Sequence, residues 1–192
     1  MTKSVDYYLT PTSPWTYLGH ARFAGIASRH GVTVAVKPVD YGVIFPQSGG
    51  LPLAKRAPQR QAYRLVELAR WREFLGVPLN LQPKFFPVDG TSAACVICAA
   101  PESKRMALAA DFLRAVWAEE KNIADTAVLA EIAARHGMTD TAGAIAQGKP
   151  VYERNTQEAL ARLVFGAPTY AFRDELYWGQ DRLDFLDRAL AT

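Results

Sequence analysis

The feature that most constrains this chain is a strand that runs into Thr10-Pro11-Thr12-Ser13-Pro14. Val5-Asp-Tyr-Tyr-Leu9 carries the β-branched and aromatic weight of a strand. Pro11 cannot join a central ladder, and Pro14 suits the first turn of a helix with Ser13 as its N-cap. That helix is predicted to run to about His30, with Leu18, Phe23, Ile26 and Ala27 turned inward, and to stop at Gly31. Val32-Thr-Val-Ala-Val36 is nearly all apolar or β-branched, as a strand covered on both faces should be. Strand, helix and strand in so short a span make a βαβ unit, which implies a parallel pair with a right-handed crossover.

The far end complements it. After Gly148-Lys149-Pro150 a helix is predicted to about Val164, then the turn Phe165-Gly-Ala-Pro-Thr169. Short strands follow at Tyr170-Ala-Phe172 and Leu176-Tyr-Trp178, and Gly179-Gln180-Asp181 opens a last helix with Leu183, Leu186 and Leu190 inward. The two ends, βαβ and αββα, together predict an α/β fold with a four-stranded mixed sheet. Between them the chain changes character. Residues 41–58 are rich in Gly and Pro and read as a long loop. From Gln59 to about Asp140 the apolar spacing is helical, with a Thr91-Ser92 cap before an Ala-rich helix and a clear inward stripe from Met106 to Trp117. This helical block is an insertion in the sheet domain.

Bulk properties narrow the function. The 192 residues carry a formal charge of +3, and the basic residues are scattered, which argues against nucleic acid. The densest group, Lys55, Arg56 and Arg60, suits one small anionic ligand. No apolar run is long enough for a membrane span, and residues 1–8 lack the apolar core of a signal peptide, so a soluble cytoplasmic protein is expected. Two cysteines, Cys95 and Cys98, make neither a disulfide scaffold nor a four-ligand zinc site, and the three separated histidines have no metal-ligand spacing. No metal is expected.

Three places carry candidate chemistry. Ser13 at a helix start is most simply a cap. In the same position its hydroxyl can donate to a thiolate, beside the positive end of the helix dipole and the aromatic Trp15 and Tyr17. Ala167-Pro168, just before the β-hairpin, suits a cis proline that exposes the backbone of Ala167 to an extended peptide. Gly179-Gln180-Asp181-Arg182 is either an ordinary helix start or a set of N–H groups for a carboxylate, with Asp181 accepting from an ammonium group.

These segments resemble a known family. Thr12-Ser-Pro-Trp-Thr-Tyr-Leu18 is similar to the S-P-[FYW]-[ST]-[YW]-L segment of the 2-hydroxychromene-2-carboxylate isomerases and the related kappa-class glutathione transferases. Phe165-Gly-Ala-Pro-Thr169 resembles their F-G-[VLS]-P turn, and Trp178-Gly-Gln-Asp-Arg182 their Phe/Trp-Gly-x-Asp-Arg motif. Arg70-Trp71, Gly76-Val-Pro-Leu79 and Phe86-Pro87 fall in the family's order. The resemblance implies a thioredoxin-like, DsbA-type fold: residues 1–45 and 150–192 as the thioredoxin-like domain, 46–149 as the inserted helical domain, and a homodimer. It implies glutathione as cofactor, bound by Ser13, Arg60, Ala167, Pro168, Gln180, Asp181 and Arg182, with Ser13 on its sulfur. It further implies an aromatic keto acid as small-molecule substrate, against a wall of Trp15, Phe45, Gly50 and Phe85. The implied reaction is isomerisation; transfer of glutathione to electrophiles, or thiol-peptide binding without catalysis, are the alternatives.

Two positions depart from the family. Ser48-Gly49-Gly50 stands where Ser-Gly-Asn is common, and Arg60 replaces a Lys, offering a forked rather than a point cation. A redox C-x-x-C in this fold sits at the start of the first helix, where the dipole lowers the thiol pKa. Ser13-Pro-Trp-Thr16 holds that place. Cys95-Val-Ile-Cys98 lies in an Ala-rich helical stretch, and its thiols read as small buried apolar groups.

Overall fold

A computed structural model of the protein describes residues 3–192; Met1 and Thr2, part of the segment expected to lack a leader, lie outside it. Strand β1 (Ser4–Leu9) is central. It pairs in parallel with β2 (Thr33–Pro38), Tyr7 opposite Val36, and antiparallel with β3 (Thr169–Phe172), Tyr8 opposite Thr169. The hairpin partner β4 (Glu175–Trp178) closes the order β2-β1-β3-β4. Because side chains alternate across a strand, Val5, Tyr7 and Leu9 enter one apolar cluster and Tyr8 enters another on the opposite face. All four are fully buried, so β1 is covered on both faces, with Asp6 half-buried on the Tyr8 side.

Helix α1 (Pro14–Arg29) crosses over on the Tyr7 face, with Leu18, Phe23 and Ile26 buried. The opposite face is covered by α2 (Tyr41–Ser48) and by a long helix near the end of the chain. The helical block comprises α3 (Pro58–Leu75), α4 (Thr91–Ala99), α5 (Glu102–Trp117) and α6 (Thr126–Arg135). It continues into that long helix, α7 (Thr141–Ala161), and the chain closes with α8 (Leu183–Ala191). No helix among the described residues is long and apolar enough to cross a membrane.

Four local expectations need correction. Residues 41–48 are helical rather than loop: Asp40 Oδ1 accepts from the Gly42 N–H at 2.7 Å, and the anchors Tyr41 and Ile44 are buried. Pro46 removes one helical donor, and tertiary packing outweighs that loss. Residues 53–55 form a 3-10 turn within the same stretch. Second, no helix begins after Pro150. Helix α7 runs through it, because Gly148 lets α7 approach α4 so closely that a Cβ there would lie 1.8 Å from the Cys95 carbonyl oxygen. Third, Thr91 does not cap α4. Asp89 Oδ1 accepts from both the Thr91 N–H and the Thr91 hydroxyl, at 2.9 and 2.7 Å. Fourth, Gln180–Arg182 is a 3-10 turn, and α8 begins only at Leu183.

Candidate functional site

The end of β1 and the start of α1 form a tight corner. The Ser13 N–H donates to the Thr10 carbonyl at 3.1 Å, and Ser13 is extended (φ −82°, ψ 124°), as an N-cap should be. Its Oγ accepts from the Thr16 N–H at 3.2 Å. The capping bond uses a lone pair and leaves the O–H proton unassigned: among the described residues that proton has no acceptor, and the Trp15 N–H has none either. Pro14 has no N–H to satisfy. Two open donors therefore sit at the positive end of a 16-residue helix. Ser13 is 8% exposed, so the corner is largely screened from water. Trp15 and Tyr17 beside it are half-buried against the main core, and the Tyr17 hydroxyl donates to the Pro78 carbonyl at 2.6 Å, tying α1 to the helical block.

The segment before β3 leads into the strand beside β1, whose last antiparallel pair is Tyr8 with Thr169. The Ala167–Pro168 peptide is cis; Phe86–Pro87 is also cis, which no motif flags. Tyr41 donates from its hydroxyl to the Gly166 carbonyl at 2.7 Å, and so does Thr169, at 2.6 Å, fixing the turn. The Pro168 carbonyl accepts from the Gly179 N–H at 2.9 Å. The N–H and C=O of Ala167 have no partner among the described residues, although Ala167 is half-buried. One residue of backbone is thus open just before β3.

The third predicted segment divides. Gln180 is buried and faces inward: its Oε1 and its carbonyl oxygen both accept from Arg22 Nη1, at 3.1 and 3.2 Å, and its Cβ packs on Gly19. Asp181 is exposed and held by Arg182 Nη1 at 2.8 Å. Gly179, at φ +101°, makes the turn that precedes them, a conformation that disfavours any side chain.

The apolar wall also divides. Phe45 on α2 and Ala167 pack on one cluster with Tyr8, Tyr41 and Ile44. Gly50 lies against Phe45, and a Cβ there would be 2.3 Å from the Phe45 ring. The ring fills the space a side chain at position 50 would need. Phe85 is 39% exposed, under Lys84. Arg60, also exposed, lies in the first turn of α3 with no ion-pair partner among the described residues. Among the described residues no hydrogen bond or ion pair joins Arg60 or Phe85 to Ser13. One link between the two regions is Gly90, whose backbone lies so close to Pro11 and Thr12 that a Cβ would sit 2.8 Å from Thr12 Cγ2. A hollow of about 350 Å³ is lined by Gln47, Ser48, Leu160, Leu163, Val164 and Phe165, away from the Ser13 corner.

Two features escaped the motifs. Arg64 sits over the Phe86 and Trp117 rings, at 5.3 and 5.7 Å from their centroids. Its place on the same helical face as Arg60, four residues away, is the signal that would have found it. His20 is buried between Tyr7 and the Met106 carbonyl. The carbonyl can only accept, so Nε2 carries the proton and Nδ1 accepts from the Tyr7 hydroxyl. Burial holds His20 neutral and pushes its pKa down to about 4. The cysteines are 1% and 2% exposed on α4, and burial raises both thiols, Cys98 to about 12.

A sheet of order β2-β1-β3-β4 with a helical block between its halves, and a polar corner facing a cis-proline turn, defines a thioredoxin-type protein. The family model of the DSBA-like thioredoxin domain matches residues 4–191, and the chain belongs to that family. It is 27% identical over 197 residues to the 2-hydroxychromene-2-carboxylate isomerase of Sphingobium xenophagum, covering 99% of both. It is 26% identical over 211 residues to a Caenorhabditis elegans protein named glutathione s-transferase kappa 2, covering 96% of this chain and 92% of that one. The solved structure of a 2-hydroxychromene-2-carboxylate isomerase superposes with a TM-score of 0.83 at 25% identity, over 98% of this chain and 94% of the other. The resemblance read from the three motifs therefore holds along the whole chain.

Proposed function

We propose that this protein is a glutathione-dependent isomerase acting on 2-hydroxychromene-2-carboxylate or a similar unsaturated aromatic keto acid. The observation that carries the reading is the Ser13 hydroxyl: already anchored as a cap, it keeps its proton free at a helix N-terminus. The site offers what a thiol tripeptide needs. The open N–H and C=O of Ala167 suit an extended backbone, exposed Asp181 suits an ammonium group, and Arg60 suits a carboxylate. Gln180, committed to Arg22, would contribute through its backbone N–H rather than its side chain.

Glutathione, when bound, supplies a thiolate for reversible addition to an electron-poor carbon. Ser13 donates its proton to that sulfur in a hydrogen bond, which favours the ionised form at neutral pH and fixes its position. The α1 dipole acts in the same sense within the first turn. Ala167 holds the peptide in register with Ser13, and Trp15 with Phe45 shields the reacting end from water. No cysteine stands at residues 13–16, so the corner binds a thiol rather than exchanging a disulfide of its own.

The kappa-transferase relative supports a second reading, conjugation of glutathione to electrophiles. The purified protein with glutathione is assayed on 2-hydroxychromene-2-carboxylate and, separately, on a chloronitrobenzene. Turnover of the first supports the isomerase, and of the second alone the transferase; glutathione binding without turnover of either leaves a binding module. Ser13→Ala is expected to remove turnover, and an unchanged rate would sink the mechanism. The reading carries with it a cytoplasmic homodimer, which sedimentation at micromolar concentration tests.

A further inference from the structure

Two hydroxyls far apart in sequence meet at one backbone carbonyl. The Gly166 oxygen accepts from Tyr41 at 2.7 Å and from Thr169 at 2.6 Å, and both bonds are buried. A carbonyl oxygen has two lone pairs, so its capacity is filled. Tyr41 is set in place by α2: Asp40 caps that helix, Ile44 is buried in the same cluster, and Phe45 packs on the Tyr41 ring at 5.3 Å. The Trp178 indole covers Gly166 itself, where a Cβ would lie 2.3 Å from Nε1, and Phe165 packs on the indole at 4.7 Å. The Pro168 carbonyl is taken by the Gly179 N–H at 2.9 Å. Ala167, with its backbone groups open, therefore stands between two neighbours whose carbonyls are fixed.

The fixed carbonyl and the open donor belong to one rigid unit. The Gly166 C=O and the Ala167 N–H share a peptide plane, and that peptide is trans, since the cis bonds among the described residues are Phe86–Pro87 and Ala167–Pro168. In a planar trans peptide the C=O and the N–H point in opposite directions. Gripping the oxygen therefore aims the Ala167 N–H away from Tyr41 and Thr169. That donor has no partner among the described residues, although backbone groups withdrawn from water are ordinarily paired. We propose that Tyr41 and Thr169 are positioning residues: through the Gly166 carbonyl they hold the Ala167 N–H in one direction, ready for a carbonyl of an extended ligand backbone. Both side chains are buried and act only through Ala167. The benefit is preorganisation, because a peptide unit already fixed loses little conformational freedom when the ligand arrives. That ligand is glutathione on the reading given above, on which this assignment rests; the clamp on Gly166 does not depend on it.

Two readouts on the full chain separate the clamp from its ligand. The first is NMR relaxation dispersion of the Ala167 amide without ligand. Wild type is expected to show no exchange broadening there. A Tyr41→Phe, Thr169→Val double variant keeps both shapes and removes both hydroxyls, and it should show exchange on the microsecond-to-millisecond scale. The second is glutathione affinity by isothermal titration. Each single variant should bind roughly two- to tenfold more weakly, the worth of one hydrogen bond. The double variant should lose more than the product of the two, because either hydroxyl alone still holds the oxygen. Thr169→Ser, which keeps the hydroxyl and loses the methyl group, should bind as wild type even where it melts lower. Gly148→Ala, destabilised at the contact of α7 with α4, should do the same. Affinity that follows melting temperature across all these variants, or an Ala167 amide left unbroadened in the double variant, overturns the assignment. If wild type binds no glutathione, the isomerase reading falls, and the Ala167 amide alone decides the clamp.

Discussion

Helices α1 and α4 each offer a group that could serve sulfur chemistry, and they differ in every property that decides the matter. Ser13 caps α1 at the corner after β1, keeps a hydroxyl proton with no acceptor among the described residues and is more exposed than either cysteine. Cys95 and Cys98 lie within α4, one turn apart, where α7 presses so closely that Gly148 has no room for a methyl group. Burial raises their thiols, whereas a nucleophilic cysteine needs a lowered pKa and an approach. The more reactive element thus occupies the dead site, and the less reactive hydroxyl the open one. Position relative to the helix end and to solvent outranks the intrinsic chemistry of the residue.

The contrast can be broken most directly at Ser13. Ser13→Ala removes the free hydroxyl and the cap together, and glutathione-dependent turnover is expected to fall by roughly 10²–10⁴-fold. Ser13→Gly, which costs little as a cap, separates the two roles: it should recover stability without recovering turnover. If it recovers both, Ser13 is only a cap.

His20 tests whether every ionisable group on α1 serves the site. Its folded pKa, about 4, lies below the ordinary 6.5. Between those values the unfolded chain binds the proton and the folded one does not, so stability falls as pH drops from about 6.5 towards 4. The loss is about 3 kcal/mol across the window. Urea denaturation at pH 7 and pH 4.5 measures it, and a His20→Gln variant should flatten that part of the pH dependence. An unaltered slope would mean that other groups carry it.

Gly148→Ala probes the closed side. The added methyl would meet the Cys95 carbonyl, so α7 must shift from α4, at a cost of about 1–3 kcal/mol. The expected signature is a lower melting temperature with the Ser13 chemistry intact in the folded fraction. The smallest effect is expected at the cysteines. Iodoacetamide at pH 7.5 should leave both thiols unmodified in the native protein, and a Cys95→Ala, Cys98→Ala double variant should keep its turnover. Rapid alkylation or lost turnover would return α4 to the chemistry.

The Ser13 corner was legible because it is local: a β-rich run, two prolines and a capping residue encode strand, turn and helix within a few residues. The hairpin and the Pro168 turn were legible for the same reason. The loop assigned to residues 41–58 failed over 41–48 because Gly42 and Pro46 are strong local breakers, and the burial of Tyr41 and Ile44 against β1 and α7 overrides them. Pro150 misled in the same way, since the contact through Gly148 that sustains α7 lies 53 residues away in sequence, at Cys95. Gly50 looked like a lost side chain until Phe45 was found in its space.

By itself, then, the order of residues determined the elements at the two ends of the chain, their parallel and antiparallel senses, and the identity of the residue at the start of α1. Local propensity and the short-range geometry of turns suffice for those. Tertiary structure alone decided which polar groups have partners: among the described residues the Ser13 proton, the Ala167 backbone and the Arg64 guanidinium stay open, while Gln180 and His20 are consumed. A hydrogen bond or ion pair depends on groups distant in sequence arriving together, and no local pattern records which of them arrive.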